Sequence, residues 1–414
     1  MKSYQLGIIS CLPAARDGQG GLVCNHSIGR LLDMLRQLVP GAKLCIPVLD
    51  NPQRNMMHRL GFPAEDVTAL PPLRSVTSAQ RYFFSTRRTV RQFARQVDAL
   101  FIRVPFQIPT ALVGLQTPKL LHVAGNPYEV IAASSDYRGI MKRVALAFAA
   151  HSNATLRRMA AEPNTRVATN GAEMWKIMRC RHGRVVVSSC IYQREMRPRE
   201  DMRLGDPPKI LFVGYLRPEK GIHTLLDAFE NLRAARPLKL TLVGGTDKRT
   251  GADAFAYDRI CNSPYHDDIT MTGMLDFGEP LFELYRSHDV FVLPSLSEGT
   301  PRTLVEARAF GCPVVATRAG GIPSSVEHDR NGLLVEPNDS PGLADAISRI
   351  LSDETLRQRL IAEGLRGSSQ ESLEAFAGQL VDELDILVGR KAQAASVSVA
   401  TNEQHQAVET RCPS

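Results

Sequence analysis

Short apolar runs recur along the chain, separated by longer stretches whose apolar positions follow a helical period. In the first half the runs are Leu6–Ser10, Leu44–Val48, Ala99–Val104, Lys119–Ala124 and Arg184–Ser188. In the second half they are Lys209–Val213, Leu238–Val243, Ile269–Thr272, Val290–Leu293 and Pro313–Thr317. They are rich in Val, Ile, Leu and Phe and lack strict alternation with polar residues, which is how strands covered on both faces of a parallel sheet read. Helical stretches between such strands predict repeated βαβ units. The expected fold class is therefore α/β, with two Rossmann-like, doubly wound domains facing a central cleft. The polar, proline-containing segment Gln193–Pro208 has no apolar period and reads as the linker between them. It sets a first domain at 1–195 and a second at 196–370. Pro341–Leu351, Glu354–Gly364 and Ser372–Val388 read as helices, and residues 391–414 read as a disordered tail.

Composition narrows the class. Of 414 residues, 43% are hydrophobic and 22% charged, ordinary for a globular protein. The longest uninterrupted apolar run, Val144 to Ala150, is far short of the roughly 20 residues of a membrane-spanning helix. The N-terminal stretch lacks the apolar core of a signal peptide. Eight cysteines at irregular spacings, none in a C-x-x-C pair, argue against a zinc site or disulfide framework and suit a reducing cytoplasm. The net charge of +7 is unevenly shared. Residues 1–200 hold 28 Lys and Arg against 12 Asp and Glu, leaving +16, and the remainder of the chain holds 22 against 31, leaving −9. A basic first half faces an anionic partner: nucleic acid, a membrane surface or a phosphorylated substrate.

The stretch Pro294–Pro323 carries the most chemistry. A strand ends at Pro294, a loop carries Glu298 and Gly299, and a helix beginning with Pro301 in its first turn runs to about Phe310, where Gly311 stops it. The amides around Gly299–Thr303, including Thr300 and Pro301, form a helix N-terminus suited to an anion. Glu298 and Glu306 stand eight positions apart at different depths of one pocket. Close to a phosphate a carboxylate is repelled, so both are better placed on hydroxyls of a sugar or ribose. Phe212–Gly221 repeats the strand–loop–helix geometry, with Gly214 in the loop and Arg217 and Lys220 as fixed positive charges. Gly20 and Gly21 follow the first strand, before a helix expected near Leu22. His122 ends the strand Leu120–Ala124. Gly244–Gly245 and Gly273–Met274 end neighbouring strands of the second domain.

These residues resemble the E-x7-E signature of the family-four retaining glycosyltransferases of the GT-B fold. Glu298 and Glu306 match its two glutamates, and the flanks A-x-A-x-G-x-P-V-V-A, G-G-I-P and Asn331–Asp339 match in order. Phe212–Gly221 resembles the family's G-R-L-x-P-E-K-G, except that Tyr215 stands where the family has arginine and Arg217 lies two positions later. The resemblance is strong over Ile210–Asp339 and thin over 1–200. It implies a retaining hexosyltransferase that uses a nucleotide-diphosphate sugar and a glycan or lipid-linked glycan acceptor, in polysaccharide or envelope glycoconjugate assembly. By the same resemblance Glu298 holds the sugar, Glu306 the ribose, and Lys220 and Arg217 the diphosphate. His122 reaches the donor sugar from the first domain. Gly20, Gly21, Gly214, Gly244, Gly273, Met274, Gly299, Thr300 and Pro301 contact the donor, and the last helix crosses back onto the first domain.

There is no D-x-D motif, and no metal or other cofactor is expected beyond the nucleotide sugar. Ala79–Val97 places Arg81, Arg88, Arg91 and Arg95 on one helical side and Phe83, Val90, Phe93 and Val97 on another. That pattern fits a surface helix with its apolar face in the core, or one lying on an anionic membrane. The expected location is cytoplasmic, with peripheral contact on the inner face of the membrane as an option. Two other classes stay open: another sugar-nucleotide enzyme such as an epimerase, and a non-catalytic binding protein using the basic half, which would bind any duplex in a salt-dependent way. The intact glutamates and Lys220 favour the transferase, with no nucleic-acid partner.

Overall fold

A computed structural model describes residues 4–53, 56–72, 81–104, 109–133, 139–244 and 252–389. The expected tail at 391–414 and Gly245 lie outside the described residues. Each half of the chain builds its own parallel sheet. In the second half six strands run in the order Ile269–Gly273, Lys239–Val243, Lys209–Val213, Val290–Leu293, Val314–Thr317 and Leu333–Val335. In the first half the main parallel run is Val67–Leu70, Lys43–Leu49, Leu6–Ile9, Ala99–Val104, Lys119–Val123, Thr165–Asn170 and Gly183–Val186, and Ala14–Arg16 also joins Lys43–Leu49 in parallel, with Leu22–Cys24 and His58–Arg59 antiparallel beyond it. Numbered by chain position, both sheets show the order 3-2-1-4-5-6 of the dinucleotide-binding fold, the first with a seventh strand added.

Strand residues alternate between the two faces of the first sheet, as the two-residue period requires. Ile8, Leu44, Phe101, Leu120 and Ala168 face one cluster, while Ile9, Cys45, Leu100, Leu121 and Val167 face the other. Both faces are apolar, so the sequence shows runs instead of alternation. Helix Phe83–Ala94 presses Val90 and Phe93 into the second of these clusters. The core, then, takes the apolar side of the arginine-rich helix.

Two expectations change locally. Leu22–Cys24 is a strand paired antiparallel with Ala14–Arg16, and the helix begins only at His26, capped by the Asn25 side chain. Gly20 and Gly21 form the hairpin turn, which Asp17 closes by accepting from the Gln19 and Gly21 amides. Thr165–Asn170, not expected as a strand, lies one strand in from the edge of the sheet and is fully buried.

After Gln193–Glu195, residues 196–208 form no helix or strand. The start of this segment is nonetheless anchored, because Arg30 donates to both Glu195 oxygens and its guanidinium lies 5.0 Å from the Phe277 ring of the second domain. The chain then crosses back. Helix 373–389 packs Leu373, Phe376, Leu380, Leu384 and Leu387 into the first domain's core. Buried Glu383 on that helix accepts from Arg166 and, at 2.9 Å, from Arg184. Among the described residues no helix is long and apolar enough to cross a membrane.

Glu383→Ala strands the buried Arg166 charge, an imbalance that costs about 3–5 kcal/mol. Urea unfolding should show a loss of that size, and a loss under about 1 kcal/mol would contradict the anchoring role.

Candidate active site

The strand Lys209–Val213 ends at Gly214, a short loop follows, and a 3-10 turn Pro218–Lys220 leads into helix Ile222–Ala235. Gly221 between them has φ +68°, and a Cβ there would lie 2.0 Å from the Pro294 carbonyl oxygen. Only glycine lets this loop press against the loop that follows Val290–Leu293. The Leu296 amide fastens the two loops by donating to the Glu219 carbonyl at 2.8 Å. Lys220 and Glu298 therefore meet: Lys220 Nζ donates to Glu298 Oε1, which also accepts from Ser295 Oγ at 2.9 Å.

The loop carrying Glu298 is held from its other side by Gly320, where a Cβ would lie 1.9 Å from the Glu298 carbonyl oxygen. The Gly321 amide donates to that carbonyl at 3.1 Å. Helix Arg302–Ala309 follows, with Pro301 as its N-cap instead of in its first turn, and Gly311 at φ +77° just beyond its end. Thr300 is buried, and its Oγ1 has no hydrogen-bond partner among the described residues.

A cavity of about 310 Å³ opens where these loops face the first domain. Arg217, Lys220, Glu298 and Gly299 line its second-domain wall, with Tyr215 and Glu219. Arg217 lies over the Tyr215 ring at 4.9 Å and 3.9 Å from Glu219. The opposite wall is Ala124, Gly125, Asn126, Asn170 and Glu173, with Met174 and Ile177. The domains touch here: Ser324 Oγ accepts from the Ala172 amide at 3.0 Å.

The remaining candidates sit elsewhere. Gly214, Gly244 and Gly273 stack at the ends of three adjacent strands, through Gly214 N to Val243 O at 2.9 Å and Gly244 N to Gly273 O at 3.0 Å. Met274 is exposed beyond them. Gly20 and Gly21 are not part of the cavity wall. Neither is Glu306, which is buried and accepts from Tyr285 OH at 2.8 Å and from the Cys190 thiol at 3.4 Å. Burial raises its pKa above the carboxylate range against the opposing pull of those two bonds and of Arg302 and Arg30. The two glutamates thus do not share a pocket surface.

His122, expected to reach the donor sugar, does not line the cavity either. It is fully buried, its Nδ1 accepts from Arg103 at 3.3 Å, and its Nε2 donates to Asn170 Oδ1 at 3.1 Å. Burial first, and then the neighbouring Arg103 charge, lower its pKa to about 3. It is a satisfied neutral imidazole behind the wall. Asn170 is the group that reaches the cavity, and it also donates to the Ala124 carbonyl at 3.3 Å and to Ser188 Oγ at 3.2 Å. Asn170 and Glu173 were not expected from the sequence. The available signal was the T-N-G-A junction, a strand end followed by a glycine and a helix.

Residues 207–353 match the family described as glycosyl transferases group 1. The match falls within the second domain and covers about a third of the chain. The D-inositol 3-phosphate glycosyltransferase of Arthrobacter sp. (strain FB24) is 31% identical over 220 residues, which cover 49% of this chain and 52% of that protein. The chain thus spans about half the length of the curated relatives it matches. Among solved structures, sucrose-phosphate synthase from Thermosynechococcus elongatus superposes with a TM-score of 0.67 at 19% identity, covering 92% of this chain and 99% of that one. HepE of Anabaena, solved with UDP and glucose, gives 0.65 at 16% identity over 92% of this chain and 99% of its own. The fold is GT-B, with the second domain supplying one wall of the cavity.

Two buried histidines, one in each domain, set a pH dependence. His122 and His288 stay neutral in the fold, with pKa values of about 3 and about 4, while the unfolded chain protonates near 6.5. Below that pH the unfolded state binds more protons, so stability falls as pH falls, by up to about 1.4 kcal/mol per pH unit for each histidine. Urea unfolding between pH 6.5 and 5 should show this slope, reduced in His122→Gln. An unchanged slope in the variant would contradict the assignment.

Proposed function

We propose that this protein is a retaining glycosyltransferase. It moves a hexose from a nucleotide-diphosphate sugar to a hydroxyl of a glycan or lipid-linked glycan, in polysaccharide or envelope glycoconjugate assembly. The observation that carries the reading is the bonded pair Lys220–Glu298 on the wall of an interdomain cavity, at the carboxyl ends of parallel strands. The cavity is at the lower end of the size range of small-molecule sites. The group 1 family match, together with relatives named as glycosyltransferases, supports a sugar-nucleotide donor.

In this reading Lys220, Arg217 and the free amides at the start of helix Arg302–Ala309 hold the diphosphate. No divalent metal takes part. Glu298 accepts hydrogen bonds from hydroxyls of the transferred sugar. Glu306 reaches a ribose hydroxyl only when movement between the domains releases its bond from Cys190. The acceptor oxygen attacks the anomeric carbon on the face from which the diphosphate departs. The bond from that carbon to the phosphate oxygen breaks, and the departing phosphate takes the acceptor's proton. Lys220 and Arg217 stabilise the charge that develops on the phosphate, and no protein nucleophile is required. Asn126, Asn170 and Glu173 form the acceptor side.

Thermal unfolding against a panel of nucleotide sugars tests this reading. A donor at 100 times its Kd adds about 2.7 kcal/mol of stability. Lys220→Ala removes a charge-assisted contact and should weaken nucleoside-diphosphate binding about 10-fold or more. Glu298→Ala should spare the bare nucleoside diphosphate and lose the added effect of the sugar. No stabilisation by any nucleotide sugar, or donor consumed with no glycoside formed, would overturn the reading.

A further inference from the structure

Helix Gly139–Ala160 is buried over only part of its length. Its buried residues are Ala149, Ser152, Asn153, Thr155, Leu156, Met159 and Ala160, all in the second half. Residues 139–148 contain none. That first stretch is nevertheless strongly apolar. Ile140 is 76% exposed, Met141 62%, Val144 53% and Phe148 37%. At 100° per residue these four fall within an arc about 100° wide, a continuous stripe and not scattered surface residues. Exposed Arg143 flanks the stripe.

The neighbouring helix supplies charge. Phe83–Ala94 and Gly139–Ala160 both contact the 3-10 turn Pro109–Leu112. With its apolar side in the core, Phe83–Ala94 turns Arg88 outward, Arg95 follows exposed at its end, and Phe84 on the same helix is 82% exposed. Phe84, Arg87, Arg88, Arg91 and Arg95 together line a shallow groove. An apolar stripe on one helix and a cluster of arginines on another that meets the same turn, on the half of the chain with a net charge of +16, are complementary to an anionic lipid surface.

We propose that residues 139–148 seat this protein on a membrane containing anionic lipid, with the stripe in the interface and the arginines of the neighbouring helix against the headgroups. The seat is mechanically tied to the cavity. Asn153, about 8 Å of helix rise beyond Phe148, donates to Asn126 Oδ1 at 2.9 Å, and Asn126 lines the cavity. A lipid-borne acceptor would then meet the first-domain wall without leaving the bilayer. Seating on lipid does not require transferase activity, and vesicle binding involves no turnover, so either can fail alone.

The test is co-sedimentation of the full chain with vesicles of phosphatidylcholine and phosphatidylglycerol, and with phosphatidylcholine alone. Binding should require the anionic lipid and fall with added salt. Arg88→Ala with Arg95→Ala should lower the partition coefficient on the order of 10-fold. Ile140→Asp with Val144→Asp should abolish binding, and since both side chains are exposed the melting temperature should not change. Three results would overturn the proposal: no binding to anionic vesicles, binding that survives the double aspartate variant, or a wild-type dimer in solution that the same variant dissociates while vesicles are ignored.

Discussion

Two loops of the second domain can approach only because residue 221 has no side chain. Gly221 lies against the Pro294 carbonyl oxygen at a distance that excludes any Cβ. That contact brings the end of one strand's loop, with Lys220, onto the end of its neighbour's loop, with Glu298. A parallel sheet delivers strand ends side by side as a matter of topology. The missing Cβ turns adjacency into a bonded charge pair. Gly320 repeats the device on the far side of Glu298, so the carboxylate is fixed between two glycine contacts.

The first domain contributes a wall of polar groups positioned from behind. Arg103, His122 and Asn170 form a buried chain that ends on the cavity. A neutral histidine suits this position, because it can accept from one neighbour and donate to the other in one tautomer. Glu306 plays a comparable part in the second domain, tying helix Arg302–Ala309 to Tyr285 and, through Cys190, to the end of the first domain. Residues that the sequence marks as chemical can thus act through the groups they hold.

Much of the fold was legible in the sequence. Ala99–Val104, Lys209–Val213 and Val290–Leu293 have the expected bounds because each is built on four consecutive apolar residues. Thr165–Asn170 escaped because four of its six residues are polar. Two of them are satisfied by distant partners: Arg166 meets Glu383, 217 positions away, and Asn170 meets His122. No local pattern carries that information. The hairpin turn at Gly20–Gly21 was misread as a helix entry, since a glycine pair after a strand serves either structure. Of the site, Lys220, Arg217, Glu298 and Gly299 come together on one wall as their motifs suggest. Of the opposite wall, Asn170, Glu173, Met174 and Ile177 escaped because they belong to a strand and helix that the apolar pattern did not reveal, while Ala124–Asn126 follow an expected strand.

The most direct test of the account is a structure determined with a nucleotide-diphosphate sugar bound. The account predicts the diphosphate against Lys220, Arg217 and the start of helix Arg302–Ala309, with sugar hydroxyls on Glu298 and the acceptor side open toward Asn126 and Asn170. A donor seated away from the Lys220–Glu298 pair, or one whose sugar points out of the interdomain cavity, would contradict it.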